Sequence, residues 1–389
     1  VKGNAVNHQQ RLRRVAAILF AMTVLVGVGS CRFGDRPTVE TSNDAPQEEI
    51  EEQLTLDNFT LDQVDTKGNL LWRVNADQAI YSENQQTVEA TNLTAEVYKD
   101  GEVIFQIRGD RGEVRLNGER LSLNGNIEAT DVRTETEMKG EELTWTPEDE
   151  VLLIRDGFSG SNKNMTFKAD EGRLSNLENR FEITGNVLIN TRDPKLKITG
   201  DELVWLTEED RITSDAPLRI QRLKGSNNTV TDQATGDRTE VDLANNIVSL
   251  FGNARIAVRD PVMDIRGETL VWDLNAEILT ADAGIDVLLQ QQQTTLTANQ
   301  GELNIGRDVF YFFGNVEATT RKNQGLLTSD VLTWYNDTQN VEAEGNVYYE
   351  QRNPDMTTQG PRLTGTLRNQ VFVVSGGRVT SEFEIQTTD

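Results

Sequence analysis

A Gly-Asn pair followed by a small or apolar residue recurs five times, at Gly125-Asn126-Ile127, Gly185-Asn186-Val187, Gly252-Asn253-Ala254, Gly314-Asn315-Val316 and Gly345-Asn346-Val347. Successive glycines stand 60, 67, 62 and 31 residues apart, so the chain is built from a double unit of about 60 residues and a half unit of about 30. Twenty residues beyond the first four glycines come Trp145, Trp205, Trp272 and Trp334, and thirteen residues before them come Gly112, Gly172, Thr239 and Gly301. From Leu54 onward Val, Ile, Leu and Thr alternate with polar residues and no helical period persists, which predicts an all-β body.

Parity decides what the glycines do. A two-residue hairpin at Gly-Asn would switch the apolar face across the turn. Instead Phe181, Ile183, Gly185, Val187 and Ile189 share one face, as do Val248, Leu250, Gly252, Ala254 and Ile256. The pattern predicts long strands of about 11 residues running through the pair, with glycine allowing a bend or a close approach. Each tryptophan closes a Gly-Asp/Glu-x-Leu-x-Trp pattern, with Ser329 replacing glycine before Trp334. In the last half unit Gly365 takes the tryptophan place, expected of a terminal repeat with no neighbour to cover an aromatic. Leu and Trp two apart point the same way, so stacked repeats form an apolar stripe between two sheets. That stripe is either plain core or the wall of a cleft.

Composition narrows the chemistry. His8 is the only histidine and Cys31 the only cysteine, so the body holds no imidazole or thiol. Histidine-based nucleophilic catalysis and structural zinc are thereby excluded from it. The formal charge of −25 argues against nucleic acid. Carboxylates at Glu141/Glu142, Asp201/Glu202 and Glu268 suit a polysaccharide-cleaving enzyme, but they recur in every copy, whereas an active site breaks a repeat once. Gly109-Asp110, Gly200-Asp201 and Gly236-Asp237 lack the dense carboxylate spacing of calcium loops.

The first 31 residues read as an address: Lys2, Arg11, Arg13 and Arg14, an apolar run Val15 to Val28, then Val28-Gly29-Ser30-Cys31, which resembles a lipobox with Cys31 as the lipidated residue. An uncleaved anchor helix is the alternative. Residues 32–53, with Pro37, Pro46 and four glutamates between Glu48 and Glu52, read as a disordered acidic linker.

The stretch Leu61 to Tyr81, containing Gly68 and Trp72, then Ala76 and Ala79, and followed by Val88 to Leu93, resembles the opening of the periplasmic domain of the LptC family. Ala169-Asp170-Glu171-Gly172 and Ala298-Asn299-Gln300-Gly301 are similar to repeats of the related LptA and OstA-type domains. The resemblance implies an elongated, slanted β-jellyroll of stacked antiparallel strands, open along one side. Residues 54–215 would be LptC-like and 216–389 an LptA/OstA-like extension, separate or continuous with the first. It implies a non-enzymatic lipopolysaccharide-transport component in the periplasm, tethered to the inner membrane. Acyl chains would line up against Trp145, Trp205, Trp272, Trp334, Phe167, Phe181 and Phe312, with no cofactor or metal. Its partners would be lipopolysaccharide, the membrane subunits of an ABC transporter, and an LptA-like or LptD-like jellyroll joined through end strands near Leu54 to Val64 and Val371 to Ile385. A passive envelope scaffold or adhesin is the competing expectation.

Overall fold

The computed structural model describes residues 54–84, 86–321, 324–352, 355–366 and 371–383; Cys31, the linker and Ile385 lie outside them. Among the described residues there are 27 strands and no helix, all in one antiparallel sheet. Six passes are interrupted halfway, as in Met165–Ala169 with Glu171–Ser175 or Thr229–Gly236 with Arg238–Asp242, so the 27 strands make 21 passes of a single up-and-down meander. Leu196–Leu206 pairs with both Arg211–Ser214 and Leu218–Lys224, so the ladder runs past residue 215 without a break. The repeat-built, all-β jellyroll expected from the sequence is what the chain forms.

The Gly-Asn passes are continuous strands, Leu121–Asp131, Arg180–Thr191, Ile247–Arg259, Val309–Thr320 and Asn340–Arg352. None of the five glycines sits at a loop tip. Both residues of each pair have positive φ, for example 77° at Gly185 and 49° at Asn186, a region open to glycine and tolerated by asparagine. The two oppose one residue of the next pass: Thr184 pairs with Glu202 and Val187 with Gly200, leaving Asp201 alone opposite the pair. This β-bulge recurs at all five pairs. A bulge bends its strand, and bulges aligned from pass to pass fold the sheet along one line into two arms.

The passes cross that corner by two counts. In Gly-Asn passes the inward residues stand four apart, as Ile183/Val187 and Leu250/Ala254 do. In the passes between them they stand three apart, as Ala169/Gly172 and Ser329/Leu332 do, so the inward face changes parity there. We call the arm that carries Trp145, Trp205, Trp272 and Trp334 the tryptophan arm and the other the facing arm.

The arms close on one another through aromatic side chains. Phe167 of the facing arm packs edge-on to Phe181 and Trp205 of the tryptophan arm, with ring centroids 5.9 and 6.1 Å apart, and Phe105 lies 6.5 Å from Trp145. Strand Glu102–Arg115 thus faces Thr136–Thr146, two passes further on. That offset is the slant of the jellyroll. One apolar cluster from Phe59 to Leu363 fills the space between the arms.

One expectation is corrected in its reason. Gly365 does have a covering neighbour: strand Val371–Ser375 pairs Phe372 with it, and a Cβ on Gly365 would stand 2.4 Å from the Phe372 ring. Phe372 packs 4.7 Å from Tyr349, so the missing indole makes room for a phenyl group brought by the next strand.

Candidate functional site: the interior between the arms

The interior is a ladder of matched pairs. Trp145, Trp205, Trp272 and Trp334 stand opposite Leu121, Phe181, Val248 and Phe310 on the preceding pass, and opposite Leu152, Ile212, Leu279 and Val341 on the following one. Two residues earlier, Leu143, Leu203, Leu270 and Leu332 face Leu123, Ile183, Leu250 and Phe312. Of the seven side chains singled out in the sequence, Trp145, Trp205, Trp272, Trp334, Phe181 and Phe312 lie on this wall and Phe167 meets it from the facing arm, and none is more than 5% exposed. Phe167, Phe181 and Trp205 meet as one cluster, whereas Trp272, Trp334 and Phe312 belong to later repeats. The stripe therefore packs against the facing arm as a filled, apolar interior.

Opposite the corner, the turns of the two arms form the rims of a mouth. On the tryptophan arm each turn is hydrogen-bonded to the next: Asn176 N–H donates to the Glu150 carbonyl, Leu274 N–H to Asn246, and Ile305 N–H to Glu277. Leu274 is buried at this rim, and Leu243 and Ile305 are partly buried against the core.

Polar straps cross the mouth. Lys99 of the facing arm donates to Glu150 at 3.1 Å, and Arg133 Nη2 to Asn176 at 3.0 Å while its guanidinium lies 5.4 Å from the Phe105 ring centroid. The tightest strap is Arg222, whose Nη2 donates to the Leu274 carbonyl at 3.2 Å and to Glu277 Oε1 at 2.9 Å. Lys224 reaches the same Glu277 oxygen at 2.9 Å, and Arg222 also stands over the Trp272 ring. The hydrogen bond from Lys224 holds the Glu277 carboxyl below its usual value against the opposing effect of burial, with Coulombic help from both cations. Asp232, beside this cluster, is pushed up by burial, only partly countered by its bond from Thr231.

The corner holds residues that the sequence reading did not assign. Asn126, Asn186, Asn253 and Asn346 donate through Nδ2 to Asp110, Asp170, Asp237 and Asp330 at 2.7 to 2.9 Å. Asp170 and Asp237 N–H return a bond to the Gly185 and Gly252 carbonyls, each at 2.9 Å, and Asn299 N–H does the same to Gly314. Each partner stands 15 residues before its glycine, an offset as constant as those of the glycines and tryptophans. Asp110 and Asp237, weighed above as calcium ligands, are thus parts of these locks. Glu141, Asp201 and Glu268 are the single residues opposite the bulges, exposed at the corner outside the interior. Their recurrence is set by the bend.

A repeated apolar interior hinged at a corner, with a strapped mouth and, among the described residues, a strand paired on one side only at each end, defines a repeat-built β-jellyroll. The chain matches the family described as "Lipopolysaccharide-assembly, LptC-related" in three successive segments, residues 16–152, 151–259 and 284–381. It belongs to that family. A comparison with curated proteins returns no match.

Proposed function

We propose that the chain carries lipopolysaccharide by holding acyl chains between its two arms while sugars remain in water outside the mouth. The observation that carries this reading is an apolar wall that repeats without interruption from Trp145 to Trp334. Burying a 12-carbon chain yields about 10 kcal/mol at about 0.8 kcal/mol per methylene. Release is feasible only where the next site offers a similar gain. Successive copies of one Leu-x-Trp wall make neighbouring sites nearly equal in energy, so an ATP-driven partner has only to push the queue. Contact is through tails, since the chain's net negative charge repels phosphate groups.

The end strands are the joints. Among the described residues Thr55–Val64 pairs only with Leu70–Tyr81, and Val371–Ser375 and Thr380–Phe383 pair only with Asp355–Thr366. Val371 and Val373 are 57% and 56% exposed. Such edges recruit strands from partners, here a jellyroll of an LptA-like or LptD-like protein at one end and transporter membrane subunits at the other. Residues 54–215 would then be the LptC-like part and 216–389 the extension, in a periplasmic body tethered through Cys31.

The test is a photo-crosslinking amino acid at Trp205 or Trp272, with exposed Arg219 on the outer face as control, in cells making lipopolysaccharide. Adducts from the inner positions and none from Arg219 are expected. Inner positions that crosslink only to protein would leave the scaffold reading standing.

A further inference from the structure

All five tryptophans bury the indole Nε1, and not one has a hydrogen-bond partner among the described residues. Chance seclusion of one N–H is common enough, but four of these five occupy the same place in successive repeats. An aromatic needed for volume alone is better supplied by phenylalanine, which leaves no donor unmade. The chain has 13 phenylalanines and uses one, Phe372, where the series ends. Throughout the series the donor is kept.

The neighbours define the acceptor. The cross-strand residues are Leu, Ile, Val and Phe, which offer no oxygen beyond the backbone already used in the ladder. A charged acceptor would be heavily penalised in such surroundings. A neutral oxygen carried on an apolar chain is not. We propose that the indole N–H groups of Trp145, Trp205, Trp272 and Trp334 form a repeated donor site for neutral oxygens, the ester or amide carbonyls and hydroxyls of acyl chains held in the interior. The site rests on the lipid-carrying reading and specifies it: the wall reads the oxygens of its cargo as well as its hydrocarbon.

Geometry sets the rhythm. From Thr136–Thr146 the tryptophan arm steps through Val151–Ser161, Glu171–Ser175 and Arg180–Thr191 before reaching Leu196–Leu206, so one donor occurs every four strands. At roughly 4.8 Å per strand the donors stand about 19 Å apart, too far for one carbonyl to touch two. A moving chain therefore meets them singly, as equal steps. Trp72 lies on the facing arm, opposite Gln63 of the edge strand, and is outside the series.

The experiment uses the full chain with 15N-labelled indoles and two lysophospholipids of equal chain length, one ester-linked and one ether-linked. The ester-linked lipid is expected to shift the N–H signals of the four repeat tryptophans downfield, and the ether-linked lipid to bind without that shift. Trp205→Phe or Trp272→Phe is expected to weaken ester-lipid binding about five-fold more than ether-lipid binding, in line with one neutral hydrogen bond. Equal affinity for both lipids with identical indole signals would overturn the donor site while leaving the lipid-carrying interior intact. Binding of neither would overturn both. The wild-type spectra decide the matter even if a variant folds poorly.

Discussion

Replacing Gly185 and Gly157 by alanine separates the corner lock from the backbone strain that accompanies it. The two glycines have nearly the same left-handed conformation, φ 77° and 86°, so each alanine meets the same intrinsic penalty of about 1–2 kcal/mol. Their surroundings differ. A Cβ at Gly157 meets nothing within 4 Å, whereas at Gly185 it would stand 2.4 Å from Asp170 Oδ2. The Asp170 Cβ would stand only 2.7 Å away as well, so Asp170 must shift as a whole and give up its 2.8 Å bond from Asn186. A hydrogen bond to a charged group contributes about 1.5–3 kcal/mol, and at this exposed corner we take the lower end. The expected loss is therefore about 1–2 kcal/mol for Gly157→Ala and about 2.5–3.5 kcal/mol for Gly185→Ala. Repeat arrays open piecewise, so hydrogen exchange over residues 179–192 and 151–161, read by mass spectrometry, measures each loss where it occurs. In an Asp170→Gly background, which removes the carboxylate and also the Cβ that would stand 2.7 Å away, the Gly185→Ala loss should shrink to that of Gly157→Ala. Equal losses in the wild-type background, or a Gly185 penalty indifferent to Asp170, would refute the lock.

Three further perturbations probe the interior and its mouth. Phe167→Ala removes ring contacts to Phe158, Phe181 and Trp205 and should destabilise the body by about 3–5 kcal/mol while tightening uptake of apolar chains into the cavity, read by a fluorescent fatty acid; lost stability without gained uptake would speak for a plain core. Glu277→Gln weakens the strap to Arg222 and Lys224 and should speed entry of the same probe in stopped flow, an effect that should persist at the usual Glu value of 4.5 and disappear only further down, as pH falls through the lowered folded-state value and the wild-type strap is itself lost. Asp232 has the opposite sign: its raised folded-state value favours folding at low pH, and that contribution is lost as pH rises from 3.8 through the raised value, so Asp232→Asn should raise the melting temperature at neutral pH and leave it unchanged below 3.8.

The strand architecture was legible because period-2 alternation and fixed glycine offsets are local signals. Phe181, Ile183, Val187 and Ile189 announce an unbroken inward face, and they are buried as that reading requires. The parity change in the intervening passes was not read. In Leu196–Leu206 the inward set moves from Leu196 and Ile198 to Leu203 and Trp205, and a shift of one residue looks like noise until the partner strand's bulge is known. The locks were within reach, since Asp110, Asp170, Asp237 and Asp330 keep a constant offset from Gly-Asn, but a carboxylate in an acidic chain draws no notice by itself. Straps such as Arg222 to Glu277 join residues 55 apart on opposite arms, and their pairing depends on the slant, which no local pattern encodes. For the wall residues, sequence supplied the face and structure supplied the facing arm.

The filled interior bears on how a sticky channel could release its cargo. An empty trough would hold each acyl chain with the whole of its transfer free energy, about 10 kcal/mol for 12 carbons. On the proposed lipid-carrying function, a chain entering between the arms would displace contacts that the arms already make, among them Phe167 with Phe181 and Trp205, and Arg222 with Glu277. Each aromatic pair contributes about 0.5–1.5 kcal/mol beyond its buried area, and that area is itself reburied when the chain leaves. Net affinity is therefore the difference between two apolar packings, far smaller than either. On that proposal the corner locks would keep the arms hinged during the exchange, and the interior would heal behind a departing chain by the same aromatic contacts that the next chain must part.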